Sequence, residues 1–186
     1  ASDGRRAVQR KGRMTRFEVE EWGVASSGPP VAIETPWGRL GIAICYDAEF
    51  PPIVRAMVSA GTWLVLVPAC TDSRAGATRV TVSARARAIE NQCFVAVAPT
   101  LGEAPWCESL DANHGRAGIY GPADRGFPTD GIIAEGAEDM PGAVIADLDP
   151  GALERVREHG TVRNHRDWPD GPVACTVVFP LAPVSA

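Results

Sequence analysis

Membrane-spanning segments and excess positive charge are both missing from this sequence of 186 residues. No apolar run approaches the ~20 residues that a membrane-spanning helix needs, and residues 1–6 are polar, unlike a signal peptide. The formal net charge is -5, and the arginines are spread along the chain rather than gathered in a block, which argues against a nucleic-acid partner. We therefore expect a cytoplasmic protein with no membrane or nucleic-acid partner.

Cysteine pairs and metal-ligand patterns are missing as well. The five cysteines are odd in number, widely spaced and without a Cys-x-x-Cys pair, and there are only three histidines. Such a set predicts reduced thiols, no structural zinc and no bound metal. No organic cofactor is implied. What remains is an ordinary globular composition, 45% hydrophobic and 22% charged, long enough for one domain with a substantial core.

Apolar runs alternate with helical patterns along the chain. In the central part, the pattern predicts strands and helices in turn, at 39–45, from Pro51 or Pro52 to Gly61, at 62–69, at 77–91 and at 93–98. Further strands are predicted at 31–34, 118–120, 131–134 and 143–148, with a last helix at 150–159 capped by Asp149. This order is typical of an α/β protein, and strands that are apolar throughout predict a sheet covered on both faces.

Sites in open α/β sheets form at the carboxyl ends of the strands, where two cysteines follow predicted strands. Cys45 closes the first buried strand just before a helix, and Cys70 closes the next. Unpaired N–H groups and the partial positive charge of a helix N-terminus favour a thiolate at Cys45. The alternative for Cys45 is a small apolar residue that ends a core strand, because free cysteine is often buried. Cys93 reads as core, and Cys107 and Cys175 carry no signal.

The segment 41–51 reads Gly-Ile-Ala-Ile-Cys-Tyr-Asp-Ala-Glu-Phe-Pro and closely resembles the nucleophile segment of the nitrilase superfamily, the carbon–nitrogen hydrolases. Three further blocks resemble that family in order and spacing. They are 10–23, with Arg-Lys, Phe-Glu and Trp-Gly; 85–91, which reads Arg-Ala-Arg-Ala-Ile-Glu-Asn; and 147–149, which reads Asp-Leu-Asp. The resemblance runs from about residue 5 to residue 168.

The resemblance implies a four-layer α-β-β-α sandwich and a Glu–Lys–Cys triad. Cys45 would be the nucleophile, and Lys11 would stabilise the developing oxyanion together with the N–H of Tyr46. Glu18 would position the substrate or the lysine. Asp47 could cap the helix that follows. Homo-oligomers are common in this family, so we expect one here. Without the resemblance, Lys11 would read as a solvated lysine in a basic stretch.

One member of that triad has no counterpart in the sequence. The family's general base is a glutamate well before the lysine block, whereas only ten residues precede Lys11 and none of them is Glu. We therefore expect 1–186 to be a single carbon–nitrogen hydrolase domain whose N-terminal part is missing, with 171–186 as a C-terminal tail. The expected activity is hydrolysis of a linear amide, or of a related carbamoyl-amide or nitrile, through a thioester at Cys45.

Two other functions stay open at this point. A chain without the base could be a catalytically silent assembly or binding module that kept the fold. Cys45 and Cys70 could instead form a reversible thiol redox pair, because neighbouring strand ends could just meet the Cα separation of ~4.4–6.8 Å that a disulfide needs.

Overall fold

The computed structural model describes residues 6–26, 28–107, 110–169, 171 and 175 of the chain. The helices are α1 (Arg16–Glu20), α2 (Pro51–Ser59), α3 (Arg74–Asn91) and α4 (Pro150–His159), and a short 3-10 helix covers Cys45–Glu49. The strands are β1 (Ala32–Thr35), β2 (Gly38–Ile42), β3 (Thr62–Ala69), β4 (Phe94–Pro99), β5 (Gly102–Glu103), β6 (Ala112–Asn113), β7 (Gly118–Tyr120) and β8 (Ile132–Glu135). The expected tail, 171–186, lies outside the described residues except for positions 171 and 175.

Six of the strands form one mixed sheet in the order β1-β2-β3-β4-β7-β8. Its three central strands, β2, β3 and β4, are parallel, while β1, β7 and β8 run antiparallel to their neighbours. α2 connects β2 to β3, and α3 connects β3 to β4, as parallel neighbours require. The carboxyl ends of the parallel strands therefore meet at one edge, and the α/β expectation is confirmed.

The helices that cross between the parallel strands begin and end where the sequence signals them. α2 has Pro51 in its first turn, and Gly61, with φ of +91°, follows its last turn. α3 begins at Arg74, three residues earlier than predicted, because the Ser73 hydroxyl accepts a hydrogen bond from the N–H of Gly76 (3.2 Å) and caps the helix there.

The core lies between the sheet and these two helices. Alternate residues of β3 and β4 point towards the helices and are buried, and apolar side chains of α2 and α3 pack on them. Fully burying one such aliphatic side chain contributes about 1.5–3 kcal/mol. The principal members are Val54, Met57, Val58, Val65, Val67, Val80, Ala84, Ala88, Val95 and Val97.

The opposite face of the sheet is apolar but only half covered. The intervening residues of β3 and β4, such as Leu64, Leu66 and Ala96, are half-buried, and Ala98 is exposed. A groove of about 470 Å³ runs across this face and is lined almost entirely by apolar groups. The expectation that both faces are covered is therefore wrong for the described residues, where helices cover one face.

Two predicted strands differ from the structure. The strand at 39–45 ends at Ile42, because the N–H of Ile44 turns away to the carboxylate of Asp47 (3.2 Å) instead of continuing the ladder. The predicted strand at 143–148 is wrong. The segment forms no strand, and its Ile145 is 87% exposed. Its Val144 lines the apolar groove on the half-covered face of the sheet.

Candidate active site

Cys45 occupies a sharp turn between β2 and the 3-10 helix. Its φ is +49°, in the left-handed region that residues other than glycine rarely adopt, and its side chain is 8% exposed. The thiol lies 3.5 Å from the carbonyl oxygen of Cys70, at the end of the neighbouring strand. A strained residue that turns from a strand into a helix is the geometry of a nucleophile elbow.

The ends of β3 and β4 form one wall beside Cys45. The Cys70 thiol lies 3.0 Å from Oδ1 of the buried Asn113, and the N–H of Thr100 donates to the carbonyl of Ala69 (2.8 Å). Burial raises the pKa of the Cys70 thiol, although a hydrogen bond from Thr100 opposes that rise. The convergence of the strand ends predicted from the sequence is confirmed, and burial disfavours the thiolate form of Cys70.

Lys11 is fixed by a carboxylate seven residues further on. Its Nζ donates to both oxygens of Glu18, at 2.5 and 2.6 Å, and both side chains are less than one fifth exposed. Burial alone would raise the pKa of Glu18, but the hydrogen bonds from Lys11 and Thr15 outweigh it and hold that pKa below its usual value. Glu18 is therefore ionised and orients the ammonium group.

Glu18 is itself held by the start of α1, an element that the sequence analysis missed. Thr15 caps this helix, and its N–H and hydroxyl both donate to Oε2 of Glu18, at 2.7 and 2.9 Å. This is a capping box, and the Thr-x-x-Glu spacing was visible in the sequence. Of the two roles left open for Glu18, the contacts favour positioning of Lys11.

The loop that carries Lys11 is joined to the Cys45 turn through Asp47. This carboxylate is 2% exposed and accepts hydrogen bonds from the N–H groups of Gly12, Arg13 and Ile44. Asp47 does not cap α2, which begins after Phe50 with no side-chain cap, but it accepts from the N–H of Ile44 at the start of the 3-10 helix. The structure thus brings the segments that carry Lys11, Glu18 and Cys45 together.

Tyr46 is the second residue of the 3-10 helix and directly follows Cys45. Its N–H belongs to the first turn, where backbone donors have no partner inside the helix. Its half-buried ring packs edge-on against Phe50, with centroids 4.8 Å apart. This contact packs the Tyr46 ring against the residue that ends the 3-10 helix.

Charged side chains that the sequence analysis did not select lie next to the strand ends. The backbone of His114 pairs with Thr71 in both directions, and its Nδ1 lies 3.1 Å from Asp139. Arg74, at the start of α3, pairs with the same carboxylate at 2.9 Å. Backbone pairing between distant loops creates this cluster, so no local motif announces it.

The remaining cysteines are not at the elbow. Cys93 is fully buried, which raises the pKa of its thiol to about 12, as its assignment to the core predicts. Cys107 is half-buried, Cys175 is exposed, and all five thiols are free. Within 6–26, 28–107 and 110–169 no cluster of three or more His, Cys, Asp or Glu side chains could hold a metal ion. In the same stretches no helix is long and apolar enough to cross a membrane.

Comparison with known proteins matches most of the chain to one family. The family model described as carbon–nitrogen hydrolase matches residues 3–158. A probable hydrolase of Bacillus subtilis, YhcX, is 36% identical over 165 residues, which are 89% of this chain and 32% of that protein. The deaminated glutathione amidase of Bos taurus is 34% identical over 134 residues, 72% of this chain and 38% of that protein. The chain thus spans well under half of the length of both relatives.

Solved structures agree with this match. Nit3 of Saccharomyces cerevisiae, a member of branch 10 of the nitrilase superfamily, superposes with a TM-score of 0.64 at 22% identity, covering 80% of this chain and 51% of that chain, which shows the likeness of fold alone. A structure of the amidase from Nesterenkonia sp. AN1, with the acetamide moiety of fluoroacetamide added covalently at its active site cysteine, has a TM-score of 0.58 at 26% identity. That match covers 86% of this chain and 55% of that chain.

Proposed function

The chain belongs to the carbon–nitrogen hydrolase family of the nitrilase superfamily, and from this premise we propose that it carries the nucleophile of a hydrolase that cleaves a linear amide. The observation that carries the proposal is the turn at Cys45, where a cysteine, not a glycine, keeps a φ of +49°. Strain of this kind costs about 1–3 kcal/mol and persists where it serves a site. A cysteine kept only for packing has no need of that conformation.

Lys11 is the proposed oxyanion donor, and its hydrogen bonds support that role. An ammonium group has three N–H donors, and the two oxygens of Glu18 engage two of them. The third can point at a developing negative charge, while Glu18 keeps the ammonium group oriented. Removing one such donor typically lowers kcat by about 10²–10³. The N–H of Tyr46 is the second proposed donor.

The reaction follows the usual course of acyl transfer to a thiol. The Cys45 thiolate attacks the amide carbon, forming a carbon–sulfur bond while the carbonyl electron pair moves onto oxygen. The general base holds the proton that the Cys45 thiol has given up. The electron pair returns from oxygen as the carbon–nitrogen bond breaks, and the nitrogen takes that proton from the base and leaves as ammonia or an amine. Water then adds to the thioester carbon, the carbon–sulfur bond breaks, and the carboxylic acid leaves as the thiol regains its proton.

The proposal assigns the general base to polypeptide that packs on the half-covered face of the sheet, outside the described residues. Two observations support this assignment. That face carries an apolar groove of about 470 Å³, a surface that soluble proteins normally cover. The chain also spans only 32% and 38% of the two relatives named above. General base catalysis is typically worth about 10²–10⁴ in rate, so these residues alone would turn over slowly.

The amide substrate is proposed from the relatives, two of which are named amidases. A carbamoyl-amide or a nitrile would use the same nucleophile and oxyanion donors. A cytoplasmic location remains part of the proposal, because the widely spaced cysteines suit a reducing compartment. Homo-oligomerisation remains part of it on the family resemblance alone.

The test begins with covalent labelling of this chain by fluoroacetamide, followed by peptide-resolved mass spectrometry of its cysteines. We expect Cys45 to carry the acetamide group at least tenfold faster than Cys107 and Cys175, and Lys11→Met to remove most of that advantage. The exposed Cys175 is the matched reference thiol. Equal rates at these three positions would refute the proposed nucleophile.

Turnover is measured on the full-length polypeptide that contains these residues. Ammonia release from a panel of primary amides should depend on Cys45, so Cys45→Ser should abolish it while leaving the fold intact by circular dichroism. A full-length protein that releases no ammonia from any amide, carbamoyl-amide or nitrile, although Cys45 is reactive, would favour the silent binding module over the enzyme.

A further inference from the structure

We propose that Asp47 is a positioning residue that holds the Lys11 loop, defined as residues 10–13, against the Cys45 turn. The inference rests on the proposed function, because it assigns Asp47 a part in setting the distance between the oxyanion donor and the nucleophile. Asp47 acts through Lys11 and need not touch the substrate.

Both carboxylate oxygens of Asp47 are engaged, and they are engaged by two separate segments. Oδ1 accepts from the N–H of Gly12 at 3.1 Å and from the N–H of Arg13 at 2.6 Å. Oδ2 accepts from the N–H of Gly12 at 3.2 Å and from the N–H of Ile44 at 3.2 Å. Asp47, which lies 34 positions after Arg13 and 35 after Gly12, thus joins the Lys11 loop to the residue that directly precedes Cys45.

Local capping does not account for this arrangement. A residue that only capped the 3-10 helix would need the bond from Ile44 and no other. Asp47 is instead 2% exposed, and burying a carboxylate is costly unless hydrogen bonds satisfy it. The N–H groups of Gly12 and Arg13 provide that compensation. The presence of a buried charge here is explained by the need to hold a distant loop.

The loop is fixed from its other side as well, so that the carboxylate sets a single position for it. The hydroxyl of Ser26 donates to the carbonyl of Gly12 at 2.5 Å. The guanidinium group of Arg13 lies over the ring of Phe50, 5.4 Å from its centroid, and Phe50 immediately follows the 3-10 helix. Both backbone polar groups of Gly12 are therefore bonded, and Gly12 is the residue directly after Lys11.

The chemistry requires this precision. An oxyanion donor acts only when it lies within hydrogen-bond distance of the oxygen in the transition state, and a displacement of about 1 Å can cost ~10² in rate. Lys11 and Cys45 belong to different segments with no shared strand or helix. Asp47 is the described side chain whose hydrogen bonds span both, so its loss should displace the donor and leave the nucleophile in place.

The first experiment measures the hydrogen bonds themselves, on this chain and without any substrate. Amide hydrogen exchange of peptides that contain Gly12 and Arg13 should be slow in the natural sequence and at least tenfold faster in Asp47→Asn, because a bond to a charged acceptor is typically worth ~1.5–3 kcal/mol. Asparagine offers one acceptor oxygen and points an NH₂ group at an N–H donor. Unchanged exchange at Gly12 and Arg13 would refute the inference.

The second experiment measures the role of these bonds, on the full-length polypeptide. Asp47→Asn should lower kcat for amide hydrolysis about 10²-fold, with KM changing less than threefold. In a Lys11→Met background the same substitution should lower kcat less than threefold, because the donor that it positions is already absent. A merely structural role would give the full loss in both backgrounds, and that result would overturn the inference.

The control is Val156→Ala, which removes buried methyl groups from α4 without touching the Lys11 loop or the Cys45 turn. Val156→Ala should lower thermal stability at least as much as Asp47→Asn while leaving kcat within threefold of the natural protein's value. An equal loss of kcat in both variants would count against a positioning role for Asp47. The two proposals can fail separately. If the natural full-length protein releases no ammonia, the proposed function fails, and faster exchange in Asp47→Asn would still support the tether.

Discussion

The strain at Cys45 can be measured by comparing alanine with glycine at that position. Any residue with a Cβ pays about 1–2 kcal/mol for the left-handed region, and glycine does not. Cys45→Ala keeps that penalty, whereas Cys45→Gly releases it. Both variants lack the thiol, so the comparison isolates the backbone from the chemistry.

The expected magnitude comes from three contributions. Releasing the strain stabilises Cys45→Gly over Cys45→Ala by about 1–2 kcal/mol. The greater freedom of an unfolded glycine costs about 0.5–1 kcal/mol, and losing one buried methyl group costs about 0.8 kcal/mol more. The two variants should therefore be equally stable within about 0.8 kcal/mol.

The matched reference is Ala43→Gly, two residues earlier in the same buried turn. Ala43 is fully buried and has an ordinary negative φ, so this substitution loses the methyl group and the entropy with no strain to release. We expect a loss of about 1.5 kcal/mol, or roughly 3–6 °C in Tm for a chain of this size. The assay is thermal and urea unfolding of all four proteins. If Cys45→Gly falls below Cys45→Ala by as much as Ala43→Gly falls below the natural sequence, the turn stores no strain and the reasoning fails.

Three further predictions concern stability. Burial, reinforced by nearby arginines, lowers the pKa of His165 from 6.5 to about 4, so the unfolded state binds the proton more readily than the folded state. The free energy of unfolding should therefore fall by about 1–2 kcal/mol, after allowance for solvent screening, as the pH drops from 6.5 to 4. His165→Gln should flatten that part of a plot of Tm against pH. The pKa of Asp124 is lowered to about 2 because hydrogen bonds from Thr161 and neighbouring N–H groups outweigh the effect of burial. The contribution of Asp124 to the stability of the fold is complete above pH ~4 and is lost towards pH 2. Asp124→Ala should therefore lower the free energy of unfolding, measured in urea, by about 1–2 kcal/mol at pH 7 but by little at pH 2. A Cβ at Gly118 would collide with the phenol of the fully buried Tyr120, so Gly118→Ala should destabilise the protein by about 1–3 kcal/mol. Combining it with Tyr120→Phe should recover part of that loss, and no recovery would place the clash elsewhere.

Elements with a local signal were predictable from the sequence. β3 has the predicted bounds, 62–69, because its apolar run begins directly after Gly61 and ends where a polar loop begins. The last helix, 150–159, also matches, with the Asp149 carboxylate accepting from the N–H of Gly151 at 2.8 Å. The family followed from four blocks of sequence in the expected order, and the turn at Cys45 from one of them, the eleven residues 41–51.

Features that depend on distant contacts were not predictable. The end of β2 is set by a side chain five residues later, since Asp47 takes the N–H of Ile44 out of the ladder. The stretch at 143–148 has the composition of a strand but no strand partner among the described residues. The contact between His114 and Thr71 joins loops 43 residues apart. At the end of β2 the deciding side chain is near in sequence but lies outside the strand pattern, whereas the other two outcomes depend on residues far away in the chain. Hydrophobic periodicity carries no information about either kind of contact.

The same contrast explains how a site can be built beside a sheet face that remains half covered. Cys45 is aimed by its own backbone, Lys11 by the capping box of a five-residue helix, and the two are joined by Asp47. These bonds are short, polar and local to one edge of the sheet, and none of them involves the apolar groove. Preorganisation of the proposed nucleophile and oxyanion donor therefore needs nothing on the outer face, whereas the proposed general base belongs to polypeptide that packs there. We therefore expect thiol reactivity and amide protection to be measurable on these residues alone, and the proposed turnover to need polypeptide on the open face of the sheet.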